Sequence, residues 1–294
     1  EAEVLLNGGL KISEEGGLLH QRLRAFINIA ANRQQIHPSK AFETAKAGME
    51  IAQRFGLGSE LAILLGNAIE AAQHLGAWEW IRSRIAEIGD SVGDFGLVVM
   101  SIRSIHEAMC GNVELAESYR NEFIEFVGDS SSTQDQAEIA ASKGAIAFVT
   151  GAYGVAVEAA AEEDTATATH ILELLGVSKS AALWAGDIEA AKARKSWLEE
   201  SVLQNEWKSC RIKTLDAGIA ALEGDRERAT ELFREALAKW DELQIPLGKA
   251  LAQMDFLFTV GVPAAADEAR EAEAFFAEAG NDLFVRKIRD ALAV

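Results

Sequence analysis

The chain has 294 residues, with 28 basic and 46 acidic side chains and a formal net charge of −18. This length exceeds what one compact hydrophobic core usually serves, so it predicts either two domains or a one-dimensional stack of repeats. The negative charge argues against nucleic acid and anionic membranes as direct partners, because both would repel the protein before a specific contact formed.

Cysteine usage and hydropathy narrow the class of protein further. Cys110 and Cys210 are too few and too far apart to form a disulfide framework. No signal peptide and no apolar stretch of transmembrane length is present, which favours a cytoplasmic protein. The chain begins at Glu1 without a methionine, and we therefore expect it to be one part of a larger protein.

Amphipathic helices in pairs account for most of the chain. Residues 1–17 hold four glycines and one short apolar patch, and we interpret them as a linker or the end of a preceding element. From residue 18 to residue 280, apolar side chains recur at three- and four-residue steps, the period of a helix with one buried face. Residues 281–294 form a short helix that caps the last pair. The predicted pairs are 18–34 with 39–55, 59–75 with 78–88, 94–110 with 113–127, 134–150 with 153–163, 165–185 with 188–203, 207–224 with 225–243, and 247–260 with 264–279.

A turn glycine marks six of the seven pairs and recurs at steps of 35 to 40 residues. Each is followed five residues later by a small or aliphatic residue. In the first, weaker copy Pro38 replaces the glycine as a helix starter. Such a regular step favours a stack of repeats in which each unit contacts its neighbours. The turn glycines are Gly76, Gly111, Gly151, Gly186, Gly224 and Gly261.

The clearest pair turns at Gly224 and carries Ala229, Phe233 and Ala236 along its second helix. In this small-aromatic-small pattern the chain resembles the tetratricopeptide repeat family, whose helix pairs repeat at about 34 residues. The resemblance covers residues 18–280. It implies an all-α, right-handed α-solenoid of about seven helix-turn-helix repeats with a C-terminal capping helix.

Two features depart from the family pattern. The repeats are longer than the family norm, and Arg120, Lys195 and Arg270 stand where Phe233 stands in the best copy. The longer type is similar to the C-terminal repeat regions of bacterial signal-transducing ATPases, such as maltose-regulator-like transcription activators and cyclase-linked ATPases. This similarity implies the ligand- or partner-sensing arm of a larger signalling or transcription-regulating protein.

Sequence patterns for catalysis and cofactors are missing. The chain has no phosphate-binding Gly-x-x-x-x-Gly-Lys-Ser/Thr loop, no His-Glu-x-x-His zinc motif and no Gly-x-Ser-x-Gly nucleophile turn. The five histidines lack the spacing of metal ligands. We therefore expect no enzyme activity, no cofactor and no metal.

One register of the first helices carries polar residues that indicate a binding groove. In a stack, this register could face the concave side, where solenoids bind extended peptides. The alternative is a solvated stripe without a ligand. The series consists of Asn28, Ala68, Arg103, Lys143, Ser178, Asp216 and Gln253, with Asn67 beside Ala68.

Part of this series resembles the carboxylate clamp that some family members use for peptide C-termini. The matching residues are Arg24, Asn28, Asn67 and Arg103, and arginine suits a carboxylate because its planar fork donates two parallel hydrogen bonds. Val99 occupies the position where a further basic residue would complete the match.

Aromatic and basic residues on later first helices extend the candidate groove. Trp184, Trp207 and Arg211 are the further partner-binding candidates, with core packing as the alternative for the tryptophans. We therefore expect a non-catalytic scaffold that binds a protein or peptide in its groove. Two alternatives stay open: a free-standing adaptor or chaperone-like peptide binder, and a small-molecule receptor with a pocket walled by His106, Trp184 or Trp207. Self-association into a homo-oligomer also stays open.

Overall fold

The computed structural model describes residues 2–34, 37–88, 96–128, 132–161, 176–201 and 205–293. These segments contain 16 α-helices and no β-strand, which confirms the predicted all-α class. The helices are α1 (Ala2–Glu15), α2 (Leu19–Arg33), α3 (Pro38–Arg54), α4 (Gly58–Leu75), α5 (Trp78–Ile88), α6 (Gly96–Met109), α7 (Val113–Val127), α8 (Thr133–Thr150), α9 (Tyr153–Ala161), α10 (Val177–Trp184), α11 (Ile188–Glu200), α12 (Glu206–Leu222), α13 (Arg226–Leu243), α14 (Pro246–Thr259), α15 (Ala266–Ala279) and α16 (Asp282–Leu292).

The ends of these helices follow from local chemistry. All six predicted turn glycines have positive φ angles, between 69° and 94°, a region that glycine enters without steric cost. Asp225 caps α13, because its side chain accepts a hydrogen bond of 3.2 Å from the backbone N–H of Arg228. Helix α10 begins directly after Gly176, which has a φ of 71°. Residues 165–175 of the predicted helix 165–185 lie outside the described residues.

The chain divides into two compact units, residues 1–102 (unit 1) and residues 103–294 (unit 2). In unit 1, α1 contacts α2, α3 contacts both α2 and α4, and α2 contacts α4 directly. The core of unit 1 includes the buried side chains of Leu23, Phe26 and Leu64. The two first helices α2 and α4 therefore lie side by side, as expected for neighbouring repeats.

Five helices of unit 2, the first helices of four predicted pairs and the capping helix, form a ring. Helices α8, α10, α12, α14 and α16 contact one another in cyclic order, and α10 also contacts α14. Helices α9, α11, α13 and α15, the second helices of those pairs, each contact two consecutive ring helices. In an open stack each repeat would contact only its neighbours. The contacts of α16 with α8, and of α10 with α14, depart from that expectation.

Buried contacts hold the C-terminal helix α16 against the ring helices α8 and α10 and against the end of α6. Asn281 at the start of α16 donates a hydrogen bond of 2.9 Å from Nδ2 to the carbonyl oxygen of Met109. The ring of Phe284 lies 5.5 Å from that of Phe148 and 5.8 Å from that of Trp184, centroid to centroid. Such edge-to-face aromatic contacts add to the stabilisation that apolar burial provides.

Candidate functional site

Three of the predicted partner-binding residues share one face of unit 1. Arg24 and Asn28 lie one turn apart on α2 and are exposed, and Asn67 on α4 is half-buried. The Asn67 side chain donates a hydrogen bond of 3.1 Å to the carbonyl oxygen of Ile27. Asn67 is therefore held in a fixed orientation beside Asn28. Because Asn67 bonds to the residue before Asn28, the structure brings Asn28 and Asn67 together, and Arg24 lies one turn away along α2.

The same surface continues through one hydrogen-bonded pair of side chains and one aliphatic side chain. His20 Nδ1 lies 3.0 Å from Glu60 Oε1, and this hydrogen bond lowers the pKa of Glu60 below its ordinary value. Ile63 lies between Glu60 and Asn67 along α4 and is 37% exposed. We name the surface formed by His20, Arg24, Asn28, Glu60, Ile63 and Asn67 the α2/α4 face. It combines a guanidinium group, amide groups and an exposed apolar side chain.

Three predicted candidates in unit 2 have buried side chains. Arg103 is buried with its guanidinium 5.6 Å from the centroid of the Tyr119 ring. Arg211 is 2% exposed and Trp207 1% exposed, and the Arg211 guanidinium stacks 4.1 Å from the Trp207 ring centroid. Trp207 and Arg211 belong to the ring helix α12, whereas Arg103 belongs to α6. In this arrangement all three present almost no side-chain surface to a partner.

Trp184 belongs to a buried polar and aromatic cluster at the centre of unit 2. Its Nε1 donates a hydrogen bond of 2.8 Å to Asp255 Oδ1, and its ring lies 4.7 Å from that of Phe148. Asp255 also pairs with Lys179, and both of these charged side chains are buried. Ser178 and Gln253, two other members of the polar series, are buried as well. In unit 2 the polar series thus contributes largely to internal contacts.

Two other groups of interest are also internal. His106 is buried, and its Nε2 lies 3.6 Å from the buried Sγ of Cys110. The thiol of Cys210 donates a hydrogen bond of 3.5 Å to the carbonyl oxygen of Ala236, and burial raises its pKa to about 12. Cys210 is therefore protonated at neutral pH and is not a thiolate nucleophile there.

Lys143 lines a surface cleft of about 370 Å³ between α7, α8 and α9. One wall contains Arg120, which the sequence indicated only indirectly, as a basic residue where Phe233 stands in the best repeat. In the small-aromatic-small pattern this position is aromatic, and the Phe233 side chain is fully buried. The cleft is lined by Glu117, Arg120, Asn121, Lys143, Ile146, Ala147 and Val155.

Comparisons with known proteins add no family name. No protein-family model matches the chain, and no curated protein matches it.

Of the helices that the structure describes, none has both the length and the apolar character required to cross a lipid bilayer.

Proposed function

We propose that the chain is a non-catalytic helical-repeat scaffold that binds a segment of a partner protein on the α2/α4 face of unit 1. The observation that carries the proposal is the exposure of Arg24 and Asn28 beside the oriented amide of Asn67. The proposal retains the tetratricopeptide-like, right-handed solenoid of about seven repeats and a capping helix as the architecture.

The side chains of this face suit an extended peptide that ends in a carboxylate. The Arg24 guanidinium would donate two parallel hydrogen bonds to the carboxylate oxygens. Asn28 offers both a donor and an acceptor to the peptide backbone. Ile63 supplies apolar contact for one peptide side chain. Because Asn67 is already held by the Ile27 carbonyl, less ordering is required on binding.

We further propose that this face serves a larger cytoplasmic protein of bacterial signalling or transcription regulation as its partner-sensing arm. The similarity of the long repeats to those of signal-transducing ATPases supports this role. The net charge of −18 supports a protein partner rather than nucleic acid.

A selection from a library of peptides with free C-termini, displayed against the whole chain, tests the proposal. Binding of the selected peptides is then measured by fluorescence anisotropy. We expect Arg24→Ala and Asn28→Ala each to weaken binding by about tenfold, because each removes a direct hydrogen bond that closes on the ligand. Amidation of the peptide C-terminus should weaken binding similarly.

Arg54→Ala is the matched control, because Arg54 is an exposed arginine of the same unit at the end of α3. Its affinity should equal that of the wild type. Selected peptides that bind Arg24→Ala and Asn28→Ala with unchanged affinity, or a library that yields no binder, would refute the proposed binding face.

A further inference from the structure

The cleft between α7, α8 and α9 in unit 2 combines a charged wall with an aliphatic one. Arg120 and Asn121 extend from α7, and Lys143 extends from α8. Ile146 and Val155 provide aliphatic surface. Its volume of about 370 Å³ lies at the small end of the range for small-molecule sites.

The charges of the cleft favour an anion. Its lining contains two cationic side chains, Arg120 and Lys143, and one carboxylate, Glu117. This excess of positive charge lies on a protein whose net charge is −18. The negative net charge of the chain repels anions at long range. An anion that binds in this cleft is therefore held by the cleft itself and not by the overall field of the protein.

Arg120 supplies a second observation that points to a ligand. Its Nε atom is shielded from solvent and has no hydrogen-bond acceptor within the described part of the chain. A shielded N–H without an acceptor is costly, and most such groups in folded proteins find a partner. Because this N–H is shielded, an anionic oxygen in the cleft reaches it only when the Arg120 side chain rotates, and it then provides the acceptor.

We infer that this cleft binds a small organic anion, a carboxylate or a phosphate ester, with a short aliphatic portion. The Arg120 guanidinium donates hydrogen bonds to the anionic oxygens, and the Lys143 ammonium group adds a second positive charge. The Asn121 amide donates a further hydrogen bond. The aliphatic portion of the ligand packs on Ile146 and Val155. This site lies in unit 2 and is independent of the α2/α4 face of unit 1.

Titration calorimetry of the whole chain with four probes tests the inference. The probes are hexanoate, hexyl phosphate, inorganic phosphate and the uncharged hexan-1-ol. We expect hexanoate or hexyl phosphate to bind at least about tenfold more tightly than hexan-1-ol and inorganic phosphate. Only the first two carry both an anionic group for the charged wall and an alkyl chain for the aliphatic wall. The tighter of the two identifies the anionic group, and added salt should weaken its binding.

Variants of the cleft locate the binding. Arg120→Gln and Lys143→Gln should each weaken the tighter probe by about tenfold. Val155→Trp should block the cleft, and the partial exposure of Val155 leaves room for the larger ring without repacking the core. Arg234→Gln, which changes an exposed arginine of α13, should bind as the wild type does.

The melting temperature of each variant separates loss of binding from loss of folding. We expect all four variants to melt within a few degrees of the wild type, because Val155 and Arg234 are exposed and Arg120 and Lys143 are only half-buried. The inference is overturned if neither anionic probe binds at concentrations up to roughly 10 mM. Equal affinity of the wild type, Arg120→Gln and Lys143→Gln for the tighter probe overturns it as well.

Discussion

Lys179 on α10 and Asp255 on α14 pair at the centre of unit 2, where their side chains are 1% and 0% exposed. Two further hydrogen bonds complete the network. Lys179 Nζ lies 3.0 Å from Ser180 Oγ, and Trp184 Nε1 donates to Asp255 Oδ1. Removing two charges from water is costly, and the pair is tolerated only because each charge faces the other with good hydrogen bonds. The interior of unit 2 therefore depends on both partners being present.

Asp255→Asn should lower the free energy of unfolding by about 3–5 kcal/mol, because it leaves the Lys179 charge buried without its counter-ion. The double variant Lys179→Met, Asp255→Leu should recover much of that loss, since it removes both charges. Urea unfolding followed by tryptophan fluorescence gives the measurement.

Asp267→Asn is the control for this prediction. Asp267 pairs with Arg270 at an exposed position of α15, and we expect a change of at most about 0.5 kcal/mol. A loss for Asp255→Asn no larger than that of Asp267→Asn would show that the buried pair contributes little to stability.

Sequence patterns predicted some of these residue environments and missed others. The turn glycines follow from local chemistry, and the structure confirms that each has a positive φ. Core packing was the alternative offered for Trp207, and its side chain is buried. The burial of Lys179 and Arg211 was not predicted, because a charged residue on a helix indicates solvent unless its counter-charge, tens of residues away, is known to face it.

At the scale of helices, close approach is possible because glycine occupies several contact positions. A Cβ atom at Gly218 would lie 2.4 Å from Leu183 Cδ2, and one at Gly248 would lie 2.4 Å from Trp240 Cζ3. These distances are far below a van der Waals contact. Glycine in α12 and α14 therefore allows α10 and α13 to pack closely against them.

Gly248→Ala should destabilise the protein by about 1–3 kcal/mol, the usual cost of forcing a methyl group into a packed core. The expected sign opposes helix propensity, since alanine is favoured over glycine by about 1 kcal/mol inside a helix. Trp240 cannot easily yield, because it is buried and its Nε1 donates to Thr214 Oγ1 at 3.3 Å.

Gly154→Ala tests the reverse situation. An added Cβ at Gly154, near the start of α9, would meet no atom within 4 Å. We expect this variant to be neutral or to gain up to about 0.5 kcal/mol. Urea unfolding of both variants decides the point, and a Gly248→Ala protein as stable as Gly154→Ala would contradict the packing argument.

The positions of helices were more predictable than their contacts. The predicted limits of the helix 78–88 and of the helix 113–127 agree with α5 and α7. Periodicity and turn residues lie within one segment, so they fix where a helix begins and ends. The contact of α10 with α12 depends instead on residues such as Leu183 and Gly218 that belong to different predicted pairs.

At the scale of the whole molecule, each unit has an apolar core made of its own residues. The constant step between turn glycines predicted one continuous stack over residues 18–280. Such a step indicates that neighbouring helix pairs stack, but the rotation from each pair to the next is small and accumulates over several repeats. Whether the first helices leave a groove or meet one another therefore depends on curvature that a repeat pattern does not contain. In unit 2 they meet, which is why Arg211 and Trp207 are buried.

Asn281 allows the attachment of α16 to the end of α6 to be tested. It caps α16, since its Oδ1 accepts a hydrogen bond of 2.9 Å from the backbone N–H of Phe284. Its Nδ2 also donates to the Met109 carbonyl oxygen, which joins two positions 172 residues apart in sequence. Asn205 caps α12 in the same way through the N–H of Lys208 at 2.9 Å. Asn205 differs from Asn281 in one respect. Within the described residues, its side chain makes no hydrogen bond to another helix.

Asn205→Ala should therefore cost about 1 kcal/mol, the usual value of a helix cap. Asn281→Ala should cost about 2–3 kcal/mol, because it also leaves the buried Met109 carbonyl without this donor. Urea unfolding gives the totals, and hydrogen exchange locates the loss. We expect faster exchange in α16 and at the end of α6 for Asn281→Ala and only in α12 for Asn205→Ala, since local opening follows the contacts removed. If the two variants cost the same and exchange in Asn281→Ala is faster in α16 alone, then Asn281 acts only as a cap. The aromatic contacts of Phe284 would then hold α16 in place without the Met109 hydrogen bond.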